Sequence, residues 1–362
     1  MALPKEVLAR RNLIAWIVTV IAVIFVPMFV GGLTNELLAN VGLFVLMGLG
    51  LNIVVGYAGL LDLGYVAFFA VGAYTTAVLT STESPYWMPE LTLNFLRPEG
   101  WIVVGAVILV GSIAGILVGT PVIRLRGDYL AIVTLGFGEI VRILFLSDWL
   151  SPYFGGAQGI TNIPSAEIGP VVIPGTNSQA IFYLLAVFSG IAIYVSWRLQ
   201  HSRLGRAWSA LREDEDVAEA MGINTTAIKL TAFVTGAIFA SLAGMIFAAK
   251  VGAIFPISFR LLISIVILVV VIVGGMGSIT GVIVGAVVLI GVLGGPTQPG
   301  LLQEFGQFKL LIYGALLVVM MLKRPEGLWP SLRRQRELHH DELRQDAWLT
   351  GDPGQDTAEV DA

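Results

Sequence analysis

The sequence predicts an all-α membrane protein with about ten transmembrane helices. Three observations carry this. Of 362 residues, 56% are hydrophobic and 13% charged, which is about half the charged share of a soluble domain; the mean hydropathy is +0.85. The apolar residues fall in blocks long enough to cross roughly 30 Å of hydrocarbon as helix. Lys and Arg concentrate in alternate connecting segments, as the positive-inside rule requires. A transmembrane β-barrel would instead alternate apolar and polar residues in strands of about ten residues.

The expected spans are 13–31, 37–56, 63–80, 101–120, 129–147, 179–199, 230–250, 259–275, 279–295 and 307–322. With the N-terminus in the cytoplasm, the inner segments hold Lys5, Arg10, Arg11, Arg124, Arg126, Arg198, Arg203, Arg206, Arg212, Lys229, Lys323 and Arg324. The outer ones hold only Arg97, Lys250, Arg260 and Lys309. An even span count places both termini inside. The first apolar run is longer than a signal-peptide core and no small-residue cleavage site follows, so it reads as a span. Trp87, Trp101, Trp149, Tyr86 and Tyr153 lie in or beside the outer loops, where aromatic rings sit at headgroup level. Residues 1–330 form the transmembrane domain, with a long inner loop at 200–229. Residues 331–362 are a polar cytoplasmic tail, expected to be a short helix at 331–347 followed by disorder.

Composition excludes several functions. There are no cysteines, so thiol catalysis, disulfides and Cys-based metal sites are out. Two of three histidines, His339 and His340, are adjacent in the tail, and no metal site is expected. A net charge of −4 leaves no nucleic-acid footprint. No G-x-x-x-x-G-K-[ST] phosphate loop is present, and no catalytic constellation marks an intramembrane enzyme.

Two glycine clusters, GYAGLLDLG from Gly56 and GGMGSITG from Gly274, are placed to unwind helices, which lipid tolerates only at a cavity or protein contact. Val54 to Tyr74 and Ile272 to Leu289 resemble one another as a faint internal repeat; shared glycine-rich composition is the alternative source. Asn52 precedes the first cluster and Asp62 lies within it. Glu139 and Arg142 share a span at i, i+3 spacing and one helix face. All four are candidates for a translocation pathway; for Glu139 and Arg142 the alternative is an ion pair that fixes bundle geometry. YFGGAQGITNIP, in the outer 148–178 loop, offers Gln158, Thr161 and Asn162 as a gate or external contact, or is a turn-rich loop.

The inner loop carries REDEDVAEAMGIN, with five acids in the eight residues Arg212 to Glu219. Ser209 or Asp214 is placed to cap a helix, the acids favour its first turn, and Gly222 stops it. Val217, Ala218, Ala220 and Met221 give it a small apolar face. The result is a surface helix of about two turns. It either docks in a groove of another protein or serves as a solvated connector.

The sequence also resembles the permease subunits of ATP-binding-cassette importers for branched-chain amino acids, the LivM type, over about residues 40–330. The resemblance rests on GLNIVVGYAGLLDLGYVAFFAVGAY, DYLAIVTLGFGEIVRIL, FGGAQGITNIP, SRLGRAWSALREDEDVAEAMGIN and VVVIVGGMGSITGVIVGA. Urea and amide importer permeases look similar, and an ion-coupled secondary transporter is the remaining alternative. The resemblance implies a type II importer-like permease bundle in a prokaryotic plasma (inner) membrane. It implies a second related permease, two cytoplasmic ATPases and a soluble substrate-binding protein as partners. ATP and Mg would be bound by the ATPases and no cofactor by this chain. It implies an ATPase-coupling role for Arg212, Asp216, Glu219, Ala220 and Gly222. The coupling pattern of such loops places glycine four residues after the second alanine, whereas Ala220 and Gly222 are two apart.

Overall fold

The computed structural model describes residues 25–29, 31–88, 90–123, 125, 127–295, 308–324 and 326–329. Most of the expected span at 13–31, the tail helix at 331–347 and the polar terminus lie outside these. The helices are α1 (Gly32–Leu51), α2 (Val66–Thr80), α3 (Pro98–Val122), α4 (Asp128–Leu146) and α5 (Ser178–Gln200). They are followed by α6 (Arg203–Glu213), α7 (Glu215–Ala220), α8 (Thr225–Val251), α9 (Leu261–Gly274), α10 (Ile279–Ala286) and α11 (Lys309–Lys323). Each expected span from 37–56 onward overlaps one of these helices. Among the described residues, six helices are long and apolar enough to cross a membrane, and two shorter apolar ones accompany them.

The bundle is organised around α1. Every residue from Ala39 to Leu51 is buried, and α5, α8, α9 and α10 pack around it. Glycine makes the close crossings possible. Gly244 of α8 meets the Phe69 backbone of α2, and Gly72 of α2 meets the Ser241 backbone of α8, the small-residue packing that membrane helices use in place of a hydrophobic driving force. The outer helices keep apolar faces exposed: Leu109, Ile113 and Leu117 on α3, and Val187, Ile191 and Tyr194 on α5. An apolar exterior on a polar-poor bundle is what lipid requires.

Two helices loosen into π-helical turns, Asn52–Tyr57 after α1 and Val287–Leu293 after α10. Residues 58–65 then run without helix, so α2 starts three residues later than the expected span. The connecting loops sort into two ends. At one end Arg212 reaches Gly56, Gly277 reaches Asn52, and Trp329 N–H donates to Gly274. At the other, residue 161 bonds residue 83, Asn94 bonds Glu167, and Ile160 pairs with Ile254. Successive helices from α1 to α5 and from α8 to α11 alternate between these ends, and the two glycine clusters touch at the Arg212 end.

The 148–178 loop holds more structure than its turn-rich sequence suggests. It folds into a one-turn helix Ser151–Phe154 and an antiparallel hairpin of β1 (Ala166–Ile168) and β2 (Val171–Ile173). Asn94 fastens the hairpin, its Nδ2 donating to the Gly169 carbonyl at 2.7 Å.

Candidate functional site

The Arg212 end is built from the polar 201–224 segment. The sequence favours one helix here; the structure has two, because Asp214 takes an extended conformation between them. Its Oδ1 accepts from the N–H groups of Asp216 (2.9 Å) and Val217 (3.0 Å), capping α7. Ser209 is no cap: it lies inside α6 and donates back to Gly205. Ser202 caps α6 instead. At the far end Gly222, at φ +83°, closes α7 with paired bonds, Gly222 N–H to Glu219 O and Ile223 N–H to Ala218 O, the Schellman pattern that explains a glycine at this position.

This segment has an inner and an outer face. Inward, Trp208 is fully buried and its Nε1 donates to the Ile228 carbonyl at 3.0 Å. Lys229, also buried, pairs with Glu215 at 2.6 Å. Arg212 turns inward as well, donating to the Gly56 carbonyl in the π-turn at 2.7 Å. Ala218 is buried, so of the apolar face foreseen on α7 this residue serves the bundle. Outward lie Asp216, Glu219, Ala220 and Gly222 with Val217 and Met221, the last two 58% and 78% exposed. A cavity of about 210 Å³ lies in the seam behind the segment, lined by Gly59, Leu61, Leu130, Arg212, Glu215 and Lys229 among others. Trp208 and Lys229 were not singled out by sequence; a lone tryptophan in a polar loop was the available signal for the first.

Asn52 and Asp62 sit behind this seam, each 1% exposed. Asn52 Oδ1 accepts from Gly277 N–H at 2.8 Å. Asp62 lies in the non-helical connection between α1 and α2. Its Oδ1 accepts from Gly64 N–H at 2.9 Å, while Oδ2 is buried without a hydrogen bond. Burial pushes its carboxyl up to about 6, against the smaller opposite pull of the Gly64 N–H and the Thr134 hydroxyl. Glu139 and Arg142 do pair, through Arg142 Nε at 2.9 Å and a second guanidinium contact. Their side chains are 40% and 24% exposed, and they share the exterior of α4 with the exposed Ile132, Ile140 and Ile143.

Gln158, Thr161 and Asn162 lie at the opposite end. Gln158 is exposed. Thr161 Oγ1 donates to Glu83 Oε2 at 2.5 Å and Asn162 Nδ2 to Glu83 Oε1 at 2.7 Å. Asn162 adopts φ +55°, a left-handed conformation uncommon outside glycine. Glu83 was missed by sequence reading, since nothing local marks it as the partner of residues about eighty positions away. Among the described residues no group of three or more His, Cys, Asp or Glu could hold a metal ion.

Against known proteins, residues 33–321 match the family described as branched-chain amino acid transport system / permease component. The chain is 38% identical to the high-affinity branched-chain amino acid transport system permease protein LivM of Salmonella typhimurium, covering 91% of this chain and 77% of that one. It is 38% identical to LivM of Escherichia coli, over 86% and 73% of the two chains. It is 24% identical to the Escherichia coli permease protein LivH, over 79% and 90%. No solved structure matches. The match spans α1 to α11, including the glycine clusters, the ion-paired face of α4 and the capped surface helix, and the chain therefore belongs to the branched-chain amino acid transport permease family.

Proposed function

We propose that the chain is the membrane-spanning permease subunit of an ATP-driven importer in a bacterial inner membrane, carrying branched-chain amino acids into the cytoplasm. The family membership carries this reading, through relatives named for branched-chain amino acid transport. The chain is a transport subunit and not an enzyme. With no phosphate-loop motif in its sequence, it relies on two partner ATPases for hydrolysis, on a second related permease for the other half of the path, and on a soluble binding protein for substrate. Residues 1–330 span the membrane ten times with both termini in the cytoplasm, and 331–362 form a cytoplasmic tail. The sorting of loops into two ends, in the order that the Lys and Arg bias requires, supports this topology.

Within this reading the Arg212 end faces the cytoplasm. Val217 and Met221, rimmed by Asp216 and Glu219, form the knob that docks on the ATPase, and Arg212 ties it to the bundle. The α4 exterior, with Glu139 and Arg142, faces the path: an ion pair is costly against lipid and tolerable against water or protein. The Glu83 clamp on Thr161 and Asn162 meets the binding protein. The test is reconstitution in vesicles. Leucine uptake should require ATP, both ATPases and the binding protein, and the single chain should neither hydrolyse ATP nor transport. Uptake by the single chain down an ion gradient would overturn the reading.

A further inference from the structure

Residues 58–65 run as non-helical backbone between α1 and α2, and Ala58, Leu60, Asp62 and Tyr65 within them are buried. Each end of this connection touches a different part of the site. At its start, Gly59 (φ +73°) packs under the aliphatic stem of Arg212, next to the Gly56 carbonyl that the guanidinium holds. At its end, Leu63 N–H donates to Thr134 Oγ1 of α4 at 3.0 Å. Gly64 lies so close to α4 that a Cβ there would overlap the Thr134 carbonyl, and a Cβ on Gly138 would come within 3.2 Å of the Gly64 Cα. Gly138 immediately precedes Glu139. Asp62 folds the connection between these contacts, its Oδ1 holding the Gly64 N–H in an Asx turn.

We propose that the 58–65 connection is the strut that carries displacement of the coupling segment to the ion-paired face of α4, with Asp62 as the residue that positions it. The inference rests on the permease reading above and assigns Asp62 a place behind the path, not on its wall. The physical case is direct contact at each end of the connection, with the cavity that borders Gly59, Leu61 and Arg212 along one flank. Arg212 meets backbone at Gly56 and Gly59, and Gly64 meets backbone at Thr134 and Gly138, so no flexible side chain intervenes at the last contact. Close-packed interiors pass strain on instead of absorbing it, and coupling of sites travels through contiguous contacts of this kind. The acceptor Oδ1 is what the turn requires; the negative charge is not.

The experiment uses the complete complex in vesicles, with ATP hydrolysis and leucine uptake measured together. Asp62→Ala and Gly64→Ala should lower uptake per ATP hydrolysed by about tenfold, within the usual range of coupling between sites, while binding-protein-stimulated hydrolysis persists. Asp62→Asn, which keeps the acceptor, should restore the ratio. Because the chain has no cysteine, Glu213→Cys, at the exposed end of α6, and Ile140→Cys, each in an otherwise unchanged chain, report the two ends of the strut through attached spin labels. ATP should alter the spectrum at both positions in the wild-type background, and at 213 alone when Gly64→Ala is present. A Gly64→Ala complex with unaltered coupling and an ATP response at 140 would overturn the strut. So would an Asp62→Asn complex as impaired as Asp62→Ala, which would make Asp62 a charged group of the path. A wild-type complex that takes up no leucine would instead count against the permease reading itself.

Discussion

Both ends of the bundle tie their loops through buried backbone, and they differ in what is added to it. At the Arg212 end the connections interlock through buried backbone: Arg212 on the Gly56 carbonyl, Asn52 on the Gly277 N–H, Gly64 against Thr134, Trp208 on the Ile228 carbonyl. At the Glu83 end Ile160 and Ile254 also exchange buried backbone bonds, and one exposed carboxylate adds side-chain bonds to Thr161 and Asn162. Buried backbone contacts are dry, short and costly to break. Exposed side-chain bonds exchange readily with water and are worth little net. The Glu83 clamp is therefore the contact that exchanges most readily with water, set on a backbone pairing that does not.

Three measurements compare the two ends. The largest effect is expected from Trp208→Ala. It empties a fully buried site and should destabilise the chain by about 3–5 kcal/mol, as aromatic truncations in cores do, read as a lowered unfolding midpoint in detergent. A change no greater than that of a surface substitution would show that α6 is not anchored as described.

Asp62→Asn comes next, and its effect depends on pH. The carboxyl is raised from 3.8 to about 6 in the folded chain, so the folded state holds the proton more tightly than the unfolded state. Stability is therefore full below the unfolded value and is lost as pH rises towards about 6. The asparagine variant should match the wild type near pH 4 and gain on it up to about pH 6. Above that it should stay ahead by up to about 3 kcal/mol, following from the size of the shift. Unfolding midpoints measured across pH 4–8 check this, and a constant difference would contradict a carboxyl raised by burial.

Glu83→Ala should cost least, about 1 kcal/mol or less in stability, because its side-chain bonds are open to solvent. It should nonetheless raise proteolytic cutting near residue 160 and alter the binding-protein concentration needed for half-maximal uptake. A loss of stability as large as that from Trp208→Ala would erase the distinction between the ends.

Local features of the inner site were legible in the sequence. Asp214 caps because aspartate competes poorly inside a helix and well at its start. Gly222 terminates because the position needs a positive φ. Glu139 and Arg142 pair because three residues along a helix bring side chains together. Other features were not legible. The split of residues 203–220 into two helices hinges on Asp214 choosing the cap over continuation. Arg212 finding Gly56, and Glu83 finding residues 161 and 162, join positions 78 to 156 apart. No local periodicity encodes such pairs.

Apolar block length and capping chemistry act within a few residues of one another, so the chain alone announced that helices form, the places of nine described helices that overlap the expected blocks, and the glycine at which the surface helix ends. Tertiary structure alone decided which helix became the buried centre, that Asn52 and Asp62 face protein while Glu139 and Arg142 stay partly open, and that the two glycine clusters meet. Those outcomes depend on how closely one backbone can approach another, which glycine permits at many places along the chain and packing realises at only some of them.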